Sequence, residues 1–403
     1  MELECSVQNY AWGKLGSGSV VAQLLKSSTP EFVLEDDKPY AEFWMGTHPN
    51  GPSILKQEQI PLSKFIEENK TTLGAVAKEC GPNLPYLFKV LSVRKALSIQ
   101  VHPNKEQAER LHQEQPEIYK DPNHKPEIAI ALTTFEALCG FRPIPEIRNF
   151  LKYLPELRAA IGENEVSHFL CCDEEEMENS LRKCFSSLMS QGPDLIAQQL
   201  RKLLERLSNL DQATRNLLNA KLLERLHLDY PGDVGCFGIY LFNYLILQPG
   251  EALYLGANEL HAYLFGDCVE CMACSDNVVR AGLTPKFKDV GTLIKMVSYA
   301  SKPAADQKFQ ALRENECTEV FLPPIQDFAV ARITIPPGRS TFNTIPRKSA
   351  SILIIINGEV QLLDSRIFGR GSVLFIPANE TINFKVLHEK VSTVMFQAFA
   401  NIP

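Results

Sequence analysis

The sequence predicts a mainly β protein built from two copies of a small β-barrel, with a block of α-helices inserted into it. Three observations predict this architecture. Alternating or apolar runs typical of strands fill both ends of the chain. Leucines recur at helical spacing between Pro145 and about Tyr230. One sequence pattern occurs twice, beginning at Gly250 and at Gly371.

Length and composition support several small units. A chain of 403 residues is too long for one ordinary core, so about two or three domains are expected. Its 26 prolines and 22 glycines suit short strands and turns better than a helical bundle.

Charge and cysteine content limit the class of partner and the compartment. A net charge of −7 provides no basic field for nucleic acid or an anionic membrane, although a local Arg/Lys pocket could bind a small phosphorylated ligand. The start, Met1–Cys5, is not expected to be a signal peptide, and no stretch reaches the roughly 18 apolar residues of a membrane span. The 11 cysteines are expected to be reduced thiols in the cytoplasm.

The run from Leu97 to Pro103 alternates apolar and polar residues, as a half-buried strand does. Strand side chains alternate between faces, so Ser98, Gln100 and His102 should point one way. A helix is expected to follow, from Asn104 as N-cap to Tyr119.

A second strand should begin near His124-Lys125-Pro126-Glu127 and continue through Leu132. Lys125 and Glu127 share a face with Ala129 and Ala131, and these small side chains leave room beside them. Two strands can therefore direct Gln, His, Glu and Lys into one cavity.

The repeated pattern aligns Gly250–His261 with Gly371–Ile382, with Gly, Leu, Ala, Asn and Glu identical. A glycine turn, an apolar strand, a small-residue turn and another strand are similar to the cupin jelly-roll barrel. The second copy has Ile382 where the first has His261, and its only histidine, His388, lacks neighbours at ligand spacing. A metal site is therefore expected in the first copy alone.

Gln100, His102, Glu127 and His261 are candidate metal ligands on three strands that a barrel would bring together. Imidazole and carboxylate suit zinc, iron or manganese. From spacing alone, structural histidines remain an equal alternative.

A rival metal motif contains Cys268, Cys271 and Cys274. In an extended strand the first two thiols would face opposite sides, and no second pair follows at finger-like spacing. Buried free thiols are the favoured interpretation.

The segment from Asp276 to Lys288 is rich in polar residues. Arg280 offers a planar set of donors for an anionic oxygen, and Lys286 adds a point charge. The residues alone favour an ordinary solvated loop.

Taken together, these motifs resemble type I mannose-6-phosphate isomerase (phosphomannose isomerase) of the animal kind, over essentially the whole chain. The resemblance is carried by Leu97–Lys105, His124–Glu127, Leu138–Pro143 and Gly266–Lys288. It implies a zinc enzyme that interconverts mannose 6-phosphate and fructose 6-phosphate and supplies GDP-mannose synthesis. It also implies a discontinuous catalytic cupin domain (1–144 and 231–300), a helical insertion (145–230) and a C-terminal cupin without metal (301–403).

The resemblance assigns roles to residues at matching motif positions. One zinc ion would be held by Gln100, His102, Glu127 and His261. Arg280 would be catalytic, and Lys125, Asp276, Glu270, Ser98 and Lys286 would line the substrate pocket. Beyond the resemblance, we expect Lys125 and Asp276 to be catalytic as well, and Ser98, Glu270, Lys286 and His124 to contact the substrate. The proton-transfer base stays open among Lys125, Glu270 and His124, and the chain is expected to be a monomer.

Two other functions compete with this assignment. A cupin dioxygenase would use redox-active iron in a His-rich barrel site. A sugar-binding or storage bicupin would carry out no chemistry at all.

Overall fold

The fold is rich in β-sheet and contains a helical insertion. The computed structural model describes residues 1–78, 80–387 and 390–402. His388, which the sequence analysis singled out, lies outside the described residues.

The strands are short and spread over both ends of the chain. In chain order they are β1 to β26: Glu2–Glu4, Ser6–Gln8, Lys14–Leu15, Pro39–Tyr40, Glu42–Met45, Ile54–Leu55, Ile60–Pro61, Tyr86–Val93, Ile99–Val101, Glu127–Ala131, Phe135–Phe141, Phe242–Leu247, Ala252–Leu255, His261–Ala273, Val279–Gly282, Lys308–Phe309, Leu312–Arg313, Thr318–Phe321, Ala329–Ile335, Thr341–Asn343, Ser351–Asn357, Val360–Gln361, Ile367–Phe368, Val373–Ile376, Asn383–Val386 and Thr393–Phe399.

Most helices fall in the middle of the chain. In chain order they are α1 to α12: Val20–Ser28, Leu62–Glu68, Lys105–Glu114, Ile144–Tyr153, Pro155–Ile161, Glu163–Cys171, Met177–Met189, Pro193–Ser208, Gln212–Leu217, Ala220–Asp229, Gly238–Leu241 and Val290–Met296. Short 3₁₀ turns cover Gly16–Gly18, Lys70–Leu73, Val234–Phe237 and Ala304–Gln307.

Strand β14 is the central strand of the larger, 11-stranded sheet. Its first half pairs with β9 and β11, and its second half pairs with β8 and β10. Gly266, at a φ of +113°, lies where the partners change. A Cβ there would lie 2.4 Å from the carbonyl oxygen of Thr134, so the close approach of these two backbone segments requires glycine. This one strand therefore contacts most of the strands that carry the candidate site.

The helical block α4–α10 packs behind the first motif strand. Ile99 and Val101 of β9 belong to the same buried cluster as Leu157, Leu200 and many other apolar side chains of the helices. The expected alternation along β9 is thus confirmed, because Gln100 between them is left facing the other side.

Helix α3 begins as expected and ends earlier. Asn104 is its N-cap, and Asn104 and Gln107 form a capping box in which each side chain bonds the other's backbone N–H. The prediction that the helix reaches Tyr119 was wrong, since α3 ends at Glu114. Pro116 follows two residues later, and proline disfavours helical geometry in the residue before it.

The repeated pattern adopts the same backbone in both copies. Gly250 and Gly371 have φ values of +90° and +86°, and Asn258 and Asn379 have +66° and +64°. β13 and β24 occupy matching positions between these turns. Glycine and asparagine tolerate the left-handed region, which explains why these two residue types recur in the pattern.

The second copy has different residues where the first has its candidate ligands. Asn379 N donates to the carbonyl of Arg347 as Asn258 N donates to that of His102. Likewise Ser351 pairs with Ile376 as Glu127 pairs with Leu255. Arg347, Ser351 and Ile382 therefore stand in place of His102, Glu127 and His261. Arg347 makes two hydrogen bonds of 2.7 Å to the Glu314 carboxylate.

In the described part of the chain, none of the helices combines the length and apolar character needed to cross a lipid bilayer.

Candidate metal centre

Three buried side chains with metal-ligand chemistry converge in the larger sheet. The ligand atoms of His102, Glu127 and His261 all lie within 4.8 Å of one another. The Glu127 carboxylate lies 3.5 Å from His102 Nε2 and 3.4 Å from His261 Nε2. Two imidazoles facing one carboxylate form a donor set that suits a divalent cation such as zinc.

Strand ends place these side chains. His102 follows the last residue of β9, Glu127 is the first residue of β10, and His261 is the first residue of β14. Gln100 of β9 and His261 of β14 are register partners in neighbouring strands. This pairing brings His102, two residues after Gln100, close to His261.

Backbone carbonyls orient both imidazoles. His102 Nδ1 lies 2.7 Å from the Asn277 carbonyl oxygen, and His261 Nδ1 lies 2.9 Å from that of Glu259. If each Nδ1 donates to its carbonyl, each Nε2 keeps its lone pair for a cation. His102 Nε2 is buried and has no hydrogen-bond partner among the described residues. A buried polar atom left without a partner is costly, so this geometry fits a bound ion.

Electrostatics keep the histidine in its metal-binding protonation state. Burial lowers the pKa of His102 to about 4, so its ring is neutral at pH 7. Burial on its own would raise the pKa of Glu127, but the charge of Lys125 and the contact with His102 hold it well below its usual range. The cluster therefore offers a neutral imidazole and an ionised carboxylate, as a cation requires.

Gln100, Ser98 and Lys125 surround this cluster as the sequence predicted. Gln100 Nε2 lies 3.5 Å from His261 Nε2, and Ser98 donates to Gln100 Oε1 at 3.2 Å. Lys125 Nζ lies 3.4 Å from Glu127 Oε1. Both motif halves thus meet in one place.

A second buried charge cluster contains a lysine that the sequence analysis did not single out. Lys89 Nζ lies 3.1 Å from Glu270 and 3.4 Å from Glu42, whose carboxylate also accepts from the indole N–H of Trp44. The available signal was a lysine within the apolar run Leu84–Leu91, since a buried lysine requires a negative partner. Glu42 lies far away in sequence and carried no such signal.

Arg280 and Lys286 lie on the part of the chain that follows β14. Arg280, on β15, is the register partner of Gln100, and burial lowers the pKa of its guanidinium. Lys286 is exposed, in the connection between β15 and α12. The structure thus places Arg280 directly beside the candidate ligands.

Two of the predicted site residues lie farther out. Asp276 is exposed and lines a cavity of about 270 Å³ together with His48 and Asp121. Burial lowers the pKa of His48, whose ring also feels the charges of Asp276, Lys89 and Lys125. His124 Nε2 lies 3.0 Å from Asp327 Oδ2, and His124 does not belong to the converging group of His102, Glu127 and His261.

The cysteine motif does not assemble as a metal site among the described residues. Cys268 and Cys271 both lie on β14, but they belong to different buried clusters on opposite faces of the sheet. Burial raises the pKa of both thiols well above the usual value, so they are neutral. Cys268 and Cys271 are buried free thiols, as favoured, whereas Cys274 is free but only partly buried.

Comparison with known families gives two matches. Residues 1–144 match the model for "Phosphomannose isomerase type I, catalytic domain". Residues 159–242 match that for "Phosphomannose isomerase type I, helical insertion domain".

Individual proteins are similar over nearly the whole chain. Mannose-6-phosphate isomerase of Bos taurus is 47% identical, over 98% of this chain and 97% of that protein. The Homo sapiens enzyme is also 47% identical, over 96% of each chain. The apo form of mannose 6-phosphate isomerase from Salmonella typhimurium superposes with a TM-score of 0.83 at 32% identity, over 100% of this chain and 99% of that one. A mannose 6-phosphate isomerase structure bound with zinc and yttrium gives the same values.

Proposed function

Because the chain belongs to the type I phosphomannose isomerase family, we propose that it is a zinc-dependent isomerase that interconverts mannose 6-phosphate and fructose 6-phosphate. The observation that carries the proposal is the convergence of His102, Glu127 and His261 on one buried point. The zinc in a similar solved structure supports the choice of metal.

One zinc ion would be held by these three residues and by Gln100. In the present rotamer Gln100 turns its amide nitrogen toward His261 and its oxygen toward Ser98. Rotating the amide by half a turn would direct its oxygen toward His261 and the cluster, and would let the nitrogen donate to Ser98 Oγ. When bound, zinc supplies Lewis-acid polarisation of the sugar oxygens.

The reaction moves a proton between C1 and C2 of the open-chain sugar through an enediolate. Lys125 would transfer this proton, since it reaches the cluster from the strand face of Glu127. Arg280 would stabilise the negative charge that develops on oxygen. Asp276 or Glu270 would assist ring opening, and Lys286 with Ser98 would bind the phosphate.

The surroundings of the other two candidate bases favour Lys125. His124 is already bonded to Asp327, on a segment of the C-terminal part. The Glu270 carboxylate is held by the buried Lys89 ammonium at 3.1 Å. Lys125 is the one of the three that contacts a proposed ligand of the metal.

The domain assignment is part of the same proposal. Residues 1–144 and 231–300 would form a cupin jelly-roll barrel with the catalytic site, 145–230 the helical insertion, and 301–403 a second cupin barrel. The matching turns and strands of the two repeats support two related barrels. Arg347, Ser351 and Ile382 in place of ligands support a C-terminal barrel without metal.

The enzyme would act as a cytoplasmic monomer that supplies the GDP-mannose pathway. The 11 thiols of the sequence suit a reducing compartment, and the acidic net charge of −7 suits a small-molecule substrate better than a nucleic acid.

A coupled assay tests the activity. Zinc-loaded protein should convert mannose 6-phosphate to fructose 6-phosphate, detected by enzymes that consume the product. Absence of turnover with full zinc occupancy would leave the sugar-binding alternative. Oxygen uptake by iron-loaded protein would favour the dioxygenase instead.

A further inference from the structure

Asp233 lies where the chain returns from the helical block to the sheet. It follows the turn Pro231-Gly232 and caps the 3₁₀ turn Val234–Phe237, since its Oδ1 accepts from Gly235 N at 2.7 Å. Its side chain is only 11% exposed. A cap for one short turn would need a single oxygen, yet this carboxylate makes further contacts.

The additional contacts all go to the segment that follows β15. Leu283 N donates to Asp233 Oδ1 at 2.6 Å, and Thr284 N lies 3.4 Å from Oδ2. Lys288 Nζ lies 3.6 Å from the same oxygen. One largely buried carboxylate thus binds two successive backbone amides and lies near one cation of a segment 50 positions away in the chain.

The backbone at this junction is tightly constrained. A Cβ on Gly282 would lie 2.5 Å from Gly235 Cα, and a Cβ on Gly235 would lie 2.4 Å from Leu283 N. Leu283 has a φ of +51°, and its side chain is buried in the core shared with the helices. A leucine in the left-handed region is rare and persists only where its surroundings stabilise it. Asp233 stabilises this conformation directly, because its carboxylate accepts from the Leu283 amide.

The far end of the segment is also anchored. Asp289 accepts from the Tyr119 hydroxyl at 2.9 Å and caps α12 by accepting from Thr292 N at 3.0 Å. Between the two anchors Pro285, Lys286 and Phe287 are exposed. Arg280 lies on β15 just before the first anchor, where it pairs with Gln100, and Lys286 lies between the anchors. The position of Lys286 relative to Arg280 therefore depends on where the backbone leaves β15.

We propose that Asp233 is a positioning residue that sets the path of the Arg280–Lys286 segment and so determines how the substrate phosphate is bound. The inference rests on the proposed function, because it assumes that Lys286 and Arg280 contact the substrate. It adds a residue that comes from the border of the helical insertion and touches no substrate itself.

The test compares D233S and D233N with the parent enzyme. Serine can still cap the Val234 turn but is too short to reach Leu283 and Thr284. Asparagine keeps an oxygen for Gly235 and Leu283. We expect D233S to raise the KM for mannose 6-phosphate and the inhibition constant of inorganic phosphate by about tenfold or more, with zinc content unchanged. D233N should recover most of both effects.

The matched control is D211A. Asp211 also caps a short helix of the insertion, by accepting from Thr214 N at 3.0 Å, but it lies on the surface and contacts no part of the 279–289 segment. Its loss should alter stability and leave KM unchanged. If D233S behaves like D211A, Asp233 has a structural role only and the proposal is wrong.

Hydrogen exchange of the parent enzyme tests the same point without a variant. The Leu283 and Thr284 amides, which bond Asp233, should exchange slowly while that of the exposed Phe287 exchanges fast. Fast exchange at Leu283 would overturn the proposal even if D233S does not fold. Lack of turnover by the parent enzyme would instead count against the proposed function and leave these exchange rates to be judged separately.

Discussion

Lys89 and Glu270 are register partners on β8 and β14, and their charged groups lie 3.1 Å apart inside the sheet. Burial alone would lower the pKa of Lys89, but Glu42 and Glu270 raise it well above the usual value, so the ammonium stays charged. This lysine is the partner that lets two carboxylates remain buried beside the candidate metal centre.

Lys89→Met should destabilise the protein by about 3–5 kcal/mol, because both carboxylates would lose their cation without gaining solvent. The free energy of unfolding from a denaturant titration measures this. Lys56→Met is the matched control, since the Lys56–Glu2 pair is also short, at 2.8 Å, but lies on the surface. The control should cost less than about 1 kcal/mol. If both variants lose the same free energy of unfolding, Lys89 contributes no more to stability than a surface lysine.

His102→Ala should reduce the zinc content from about one ion per chain to near zero and abolish turnover, because it removes one of the proposed zinc ligands. Elemental analysis after dialysis measures the metal. Chelation of the parent enzyme should have the same effect, and added zinc should reverse it. His112→Ala is the control, since the half-buried His112 ring on α3 lies 2.7 Å from the Tyr119 carbonyl oxygen and does not belong to the converging group. Retention of zinc by His102→Ala would remove His102 from the ligand set.

Arg280→Ala should lower kcat by about a hundredfold to a thousandfold with the zinc content unchanged, because the guanidinium is proposed to stabilise charge in the transition state. Steady-state kinetics with parallel metal analysis separate the two effects. Arg280→Lys should recover only part of the rate, since lysine lacks the planar pair of donors. Zinc loss in Arg280→Ala would assign the residue a structural role.

Lys125→Met should stop exchange of the substrate C2 hydrogen with solvent. The lysine is proposed to carry the proton between C1 and C2, and the thioether of methionine can neither accept nor donate that proton. Deuterium incorporation into mannose 6-phosphate, followed by mass spectrometry, measures this step apart from product formation. Near-normal exchange in the variant would rule out Lys125 as the base.

The stability of the contact between β11 and α10, where Glu136 meets Arg225, should decrease at acid pH. Burial would raise the pKa of this β11 carboxyl, but Arg225 of α10 and Tyr244 hold it below its usual value. The stabilisation should therefore be complete above about pH 4.5 and be lost as pH falls through the lowered pKa. The difference in Tm between the parent enzyme and Glu136→Gln should be largest at pH 7 and shrink toward pH 3. A difference independent of pH would show that the carboxylate charge does not matter.

Local patterns predicted much of the site because each of its pieces is short. Alternation along one strand placed Gln100 on the face opposite Ile99 and Val101, and the repeated turn pattern identified His261 as the residue that differs between the two copies. Residue types at these positions depend only on which face a strand presents and on which turns tolerate a left-handed backbone. Both constraints act within a few residues, so they are visible in the sequence.

The partners of these residues were decided by the tertiary structure alone. Glu42 pairs with Lys89, the Asn277 carbonyl orients His102, and Asp233 accepts from the Leu283 amide. Each of these contacts joins residues that are far apart in the sequence. A backbone carbonyl leaves no mark in the sequence, and a carboxylate in one strand does not indicate which distant strand will lie beside it. The sequence by itself therefore indicated the candidate ligand types and a sheet-rich fold with a helical insertion, and the register of β14 with its neighbours decided which charges and amides lie beside the candidate site.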